Sequence, residues 1–266
     1  MTALSWQLLA TYVTGVVTTP LVQRVMGSVT AEVRKRWERT AAARLVVATQ
    51  LDPLLKAADE LQGKLRSLAE KDFREFRTVP ENDLERAHLV NLCSTLYLFA
   101  QFWARLEILR RESFHAELAR NRHGKVLLRF LRCLESRRVR LVDRSWQRAI
   151  GESIIIVAKP PADILSFKVF VEQYVTTPTL REWVHPLEDV LRQTKYPRSR
   201  QRVLQYGVIV HALIDTLDPK HYTTRERPAY PNKLSRRAKR DLIGRVFHTY
   251  LPDVRRTEKY TGIPQG

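Results

Sequence analysis

Leu89-Val90-Asn91-Leu92-Cys93-Ser94-Thr95-Leu96-Tyr97-Leu98-Phe99-Ala100-Gln101-Phe102-Trp103-Ala104 is the stretch on which the reading of the fold turns. Its large apolar side chains at 89, 90, 92, 96, 98, 99, 102 and 103 cover most of a helical circumference, which marks a helix surrounded by neighbours. Asn91, Ser94, Thr95 and Gln101 interrupt it too often for a comfortable membrane span. The stretch therefore predicts the central helix of an all-α, irregular multi-helix bundle, continuing through Leu106-Glu107-Ile108-Leu109-Arg110-Arg111-Glu112. Glu107 falls among Phe102, Leu106, Ile108 and Leu109, so its carboxylate needs a cation: Arg110, Arg111 or an arginine of the basic helix downstream. A buried ion pair that fixes helix packing is the expected role, ahead of a site with a raised pKa.

Upstream, Leu51-Asp52-Pro53-Leu54 reads as a helix start, with Asp52 as cap and Pro53 where a missing N–H costs nothing. Leu54, Ala58, Leu61, Leu65 and Leu68 alternate spacings of four and three and predict a clean amphipathic helix. Val79-Pro80-Glu81-Asn82-Asp83 supplies its break. Downstream, Asn121 to Gly124 reads as a turn and Lys125 to Trp146 as a basic amphipathic helix or helix pair. Ile154-Ile155-Ile156-Val157 is read as the end of a buried helix, stopped by Pro160-Pro161, although its branching also suits a short strand. Helices are expected over 162–174, 179–194 and 199–217, with prolines near their edges. After Pro219 the pattern becomes a basic tail with one helix over 234–250. No internal repeat suggests a solenoid. The domain division is thus 1–48, an apolar helix with a basic juxtamembrane helix; 49–218, the bundle; and 219–266, the tail.

Residues 1–23 carry no charge and are long enough to cross a bilayer, which takes about 20 residues. Arg24, Arg34, Lys35, Arg36, Arg39 and Arg44 follow, and no Lys or Arg precedes. By the positive-inside rule, a span here leaves the body in the cytoplasm. Gln7, Thr11, Thr14 and Thr18 form a weakly polar stripe, suited in a membrane to helix pairing and so to a homo-oligomer. The other reading is an apolar helix docked in a cytoplasmic bundle. A cleaved signal peptide fits poorly, because the basic leader is missing.

The composition, 46 Lys+Arg against 28 Asp+Glu and a formal charge of +18, asks for an anionic partner: acidic lipid, an acidic protein or nucleic acid. Two regions concentrate the excess. Residues 120–148 hold ten Lys or Arg against two acids, and 220–259 hold twelve against four. The candidate anion-binding residues are Arg129, Arg132, Arg137, Arg138, Arg140, Arg144, Lys233, Arg236, Arg237 and Arg240. Arginines on amphipathic helices also serve simply as a solvated face, and no nucleic-acid fold signature accompanies these.

Two Glu-x-x-His units, Glu112/His115 and Glu182/His185, have the spacing that di-iron carboxylate bundles use, with Glu60, Glu70, Glu135 or Glu152 to complete a set. Arg110 and Arg111 crowd the first unit and Pro186 follows the second, so surface or capping histidines are the expected reading. The chain has no phosphate loop, nucleophile elbow or zinc helix. Cys93 and Cys133 lack metal or redox spacing and are expected to be buried thiols. No cofactor is implied. These features favour an interaction protein over an enzyme.

Three phrases, residues 51–62 (Leu-Asp-Pro-Leu-Leu-Lys-Ala-Ala-Asp-Glu-Leu-Gln), 97–112 (Tyr-Leu-Phe-Ala-Gln-Phe-Trp-Ala-Arg-Leu-Glu-Ile-Leu-Arg-Arg-Glu) and 147–152 (Gln-Arg-Ala-Ile-Gly-Glu), resemble bacterial proteins of no assigned activity. Those proteins have an apolar N-terminal segment and a helical body. The resemblance spans about half the chain. It implies a bacterial source and a membrane-directed start, and carries no functional residue.

Overall fold

The computed structural model describes residues 34, 49–76, 85–112, 122–156 and 162–264. The apolar run 1–23 with its Gln7/Thr11/Thr14/Thr18 stripe, the basic residues that follow it apart from Arg34, and the break at 79–83 lie outside the described residues. The chain divides into two compact units, Met1–Leu45 and Val46–Gly266. Of the first, Arg34 is described, helical and exposed. The second is mostly helical. No helix among the described residues is long and apolar enough to cross a membrane.

Helix α1 (residues 49–70) buries Leu54, Ala58, Leu61, Leu65 and Leu68 on one face, as their spacing requires. Each such leucine contributes roughly 1.5–3 kcal/mol by leaving water. The helix is already running at residue 49, so Asp52 and Pro53 lie within it and do not form its cap. Asp52 instead accepts a hydrogen bond from Thr223 Oγ1 at 3.2 Å. The end comes at 70, before the proline expected to break it. Asp72 and Phe73 take left-handed backbone angles (φ 49° and 56°), and the Phe73 amide donates back to the Leu68 carbonyl. A bulky residue in that region is strained; the fully buried Phe73 ring holds it there.

Helix α2 (Glu85–Glu112) is the central element. Leu92, Leu96, Phe99, Phe102 and Trp103 are all buried, and α2 packs against α4 (Arg144–Glu152), α5 (Phe167–Thr176) and α6 (Pro178–Arg192). Helix α3 (Arg122–Leu134) packs instead against α7 (Pro197–Leu217), which is buried along most of its length. Arg122–Gly124, read from sequence as a turn, forms the first turn of α3. Trp103 Nε1 donates to Tyr206 Oη at 2.7 Å, tying α2 to α7 through one indole and one phenol that burial would otherwise leave unsatisfied. Two close approaches depend on glycine. A Cβ on Gly151 of α4 would lie 2.8 Å from the Trp103 carbonyl carbon, and one on Gly207 of α7 would lie 2.2 Å from Tyr230 Oη.

The basic region 125–146 resolves as a helix pair, α3 and α4, separated by residues 135–143. Asp143 caps α4, accepting from the Ser145 amide. Ile154–Val157 was expected to extend a helix. Instead α4 stops at Ser153, and Ile155–Ile156 (β1) pairs antiparallel with Asp163–Ile164 (β2), Ile155 opposite Ile164. Branching at Cβ favours the extended form once the helix is capped. Val157 and the two prolines lie outside the described residues. Because 163–164 are spent on the strand, α5 starts at Phe167, with Ser166 as its cap. Pro186 stands inside α6 without ending it.

The segment after Pro219, read as a tail, packs on the same core. Tyr230, Leu234, Leu242, Phe247, Leu251 and Tyr260 are buried. Its helix α8 (Arg236–Asp241) runs through a π-helical stretch (Leu242–Phe247) into a last turn (His248–Tyr250), close to the expected 234–250, and α9 (Thr257–Thr261) follows. Polar links hold the segment across α1: Arg227 makes a two-pronged bond to Asp59 at 2.7 and 3.0 Å, and Lys233 reaches Asp72 at 3.3 Å.

Candidate anion-binding groove

Helix α7 opens at Pro197, whose fixed φ and missing N–H suit a first helical turn. The residues that follow, Arg198, Gln201, Arg202 and Gln205, recur at three- and four-residue spacings and form one stripe. Each polar member of this stripe past Arg198 fastens a neighbouring segment. Gln201 donates to the Lys233 carbonyl at 2.9 Å and accepts from the Ser235 amide at 2.8 Å. Gln205 donates to the Ala238 carbonyl at 3.2 Å. Arg202 donates to the Arg140 and Leu141 carbonyls at 3.0 and 3.3 Å. The stripe thereby clamps the 135–143 turn on one side and α8 on the other.

Between them lies an open groove of about 570 Å³. Arg137 and Arg138 line it from the turn, Arg198 and Arg202 from α7, and Arg237 and Arg245 from the α8 stretch. Buried Val139, Leu242 and Val246 give it an apolar floor. Asp241, Leu242, Arg245 and Val246, neighbours over one helical turn, line the groove together. Asp241 is the one carboxylate of the lining; it stands 3.4 Å from Arg245 and 4.0 Å from Arg237. Arg137, Arg138 and Arg198 are exposed and have no acidic side chain in salt-bridge range among the described residues.

Of the arginines and lysine singled out from sequence, the groove gathers Arg137, Arg138 and Arg237. Arg129 pairs with Asp253, Arg140 with Asp143 and Lys233 with Asp72. Arg132, Arg144, Arg236 and Arg240 are exposed outside the groove lining. Sequence reading missed Arg198, Arg202 and Arg245. The alternation Arg198-Ser-Arg200-Gln-Arg202 just after Pro197 was the available signal for the first two.

Of the two Glu-x-x-His units, only the second lies wholly among the described residues. Glu182 and His185 both face solvent on α6, and His185 lies 3.6 Å from Asp189 of its own helix. The Glu112 side chain and His115 lie outside the described residues. Glu70 pairs with Arg66, Glu152 with Arg111 and Glu135 with Arg110 and Arg148. Among the described residues no three His, Cys, Asp or Glu side chains are arranged to hold a metal ion. Glu107 is 5% exposed and pairs with Arg110, while Arg148 of the basic helix pair stands 4.0 Å away. Cys93 and Cys133 are buried, and burial pushes their thiols up to about 11 and about 12, leaving both un-ionised at neutral pH.

A second polar cluster lies at the end of α7. Asp215 faces His211 at 3.6 Å, His221 at 3.5 Å, and Lys259 and Tyr260 at 2.6 Å each. Burial pushes His211 down from 6.5 to about 4, and the Asp215 charge only partly opposes this. Between those two values the unfolded chain binds a proton that the fold excludes. Stability is therefore full above about pH 6.5 and falls as pH drops toward 4, by about 2–3 kcal/mol. Urea midpoints measured at pH 7 and pH 4.5 should show this fall, and His211→Gln should reduce it; an unchanged slope in the variant would assign the pH dependence to other groups. No family model, no curated protein and no solved structure matches the chain.

Proposed function

We propose that this chain is a membrane-tethered, basic helical docking protein whose body lies against the acidic phospholipid of the cytoplasmic face. The observation that carries the reading is the groove: six arginines line one concavity against a single carboxylate, and among the described residues four of the six have no acidic partner, Arg202 being bonded to backbone carbonyls and Arg137, Arg138 and Arg198 to no acid. Such self-repulsion is relieved by anions. Arginine beside an acidic bilayer contributes about 1 kcal/mol per residue. Trp146 and Trp183, 38% and 40% exposed with ring centroids 5.4 Å apart, give the body an aromatic pair of the kind that settles at headgroup level. Residues 1–23 supply the tether in this reading, and the arginines that follow set its direction.

Flotation tests it. Full-length protein should float with vesicles at any salt. A variant lacking residues 1–23 should float only with phosphatidylglycerol-containing vesicles and release as salt rises from 0.05 to 0.5 M, roughly the range over which the screening length falls severalfold. Unchanged membrane fractionation on deleting 1–23 would remove the tether. The runner-up, a nucleic-acid-binding protein, has exposed Tyr196 in its favour, since this ring immediately precedes the groove residue Pro197 and could stack on a base. A strong gel shift at moderate salt without vesicle binding would put that reading first.

A further inference from the structure

We infer that the groove is a discrete site for a ligand carrying two linked phosphate groups, and not merely part of a diffuse basic face; the inference rests on the anion-binding reading above and sharpens it. Charge, volume and rigidity agree. Arg137, Arg138, Arg198, Arg202, Arg237 and Arg245 against Asp241 leave a formal excess of five positive charges in one concavity. A single phosphate monoester brings about two negative charges, whereas two linked phosphates bring three or more. The cavity of about 570 Å³ is of small-molecule size and far exceeds one tetrahedral anion. A planar guanidinium presents paired N–H donors that match two phosphate oxygens at once, and three of these forks, on Arg137, Arg138 and Arg198, have no carboxylate among the described residues to release before binding.

Backbone preorganisation separates this groove from a flexible basic patch. Gln201, Gln205 and Arg202 hydrogen-bond its two walls to α7 across 32, 34, 33 and 62 residues of sequence, so the Cα positions of the arginines are fixed before a ligand arrives. The apolar floor of Val139, Leu242 and Val246 lowers the local dielectric and strengthens each charge–phosphate contact. Asp241 bridges the two arginines of the far wall and is displaced from them as a phosphate takes its place.

The shared chemistry has two sources, a soluble diphosphate and a lipid headgroup with two phosphates, and the test separates them. Calorimetry on the full chain in detergent, titrated with inorganic pyrophosphate, should show one saturable site. Orthophosphate should bind at least about tenfold more weakly, a difference of about 1.4 kcal/mol. Arg138→Gln with Arg198→Gln should cost pyrophosphate binding about tenfold or more. Arg236→Gln with Arg240→Gln, which removes equal charge outside the groove lining, should leave it nearly unchanged. Stronger binding of the body to cardiolipin vesicles than to phosphatidylglycerol vesicles of equal surface charge, lost in the groove variant alone, would assign the site to lipid. Equal vesicle binding with intact pyrophosphate binding would assign it to a soluble ligand. Absence of a saturable pyrophosphate site, equal loss in both double variants, or tight binding of an oligothymidylate that pyrophosphate does not displace would overturn the inference. The docking reading fails separately, if neither vesicle binds while pyrophosphate does.

Discussion

Gly151→Ala should destabilise the body by about 3 kcal/mol, seen as a lower urea midpoint with an unchanged slope, and Gly151→Val should prevent folded protein from accumulating. The cause is distance. An added Cβ would stand 2.8 Å from the Trp103 carbonyl carbon and 2.9 Å from both its oxygen and the Ala104 amide nitrogen. Those atoms belong to the backbone of α2 and cannot rotate away as a side chain could. The whole of α4 must shift, and α4 carries Arg148 into the ionic cluster and buries Ile150. Alanine is otherwise the better helix former by about 1 kcal/mol, so a stabilised Gly151→Ala variant would refute the close packing of α2 on α4.

Arg110→Met should cost about 3 kcal/mol, because it strands two carboxylates, Glu107 and Glu135, that both lean on the Arg110 guanidinium. Arg148 remains, bonded to Glu135 at 3.1 Å by two of its nitrogens but 4.0 Å from Glu107. Glu107 is thus the group left without a close cation. Converting it as well, in Glu107→Leu with Arg110→Met, should recover a large part of the loss, since an apolar pair removes the buried charge altogether. A double variant no more stable than Arg110→Met would mean that the cluster acts through Glu135 alone. Thermal unfolding of the two single variants and the double variant, as a cycle, measures this coupling.

Local pattern made some of the fold legible. The four-three spacing of Leu54, Ala58, Leu61, Leu65 and Leu68 predicted a buried face, and all five are buried. The circumferential apolarity of 89–104 predicted a surrounded helix, and α2 buries Leu92, Leu96, Phe99, Phe102 and Trp103, although Val90, counted in that pattern, is exposed. The cation requirement of Glu107 was readable because Arg110 lies one turn away. What escaped depends on distance along the chain. Ile155–Ile156 could be told from a helix end only by its pairing with Asp163–Ile164. The end of α1 escaped because burial of the Phe73 ring offsets the strain of its left-handed backbone, which no propensity would suggest. Half of the groove's arginines were visible as charge clusters, but Arg198, Arg202 and Arg245 become part of one site only after Gln201 and Gln205 join segments more than thirty residues apart.

The segment that crosses α1 has a consequence for biosynthesis. Asp52, Asp59 and Asp72 wait for partners 171, 168 and 161 residues further on. At translation speeds of about 5–20 residues per second, that interval leaves these three carboxylates without their final partners for roughly 10–30 s on the ribosome. A chain halted near residue 220 would lack these links and the buried Tyr230, Leu234, Leu242, Phe247, Leu251 and Tyr260 that the late segment adds to the core, so premature termination there should yield degraded or aggregated product in place of a smaller stable body.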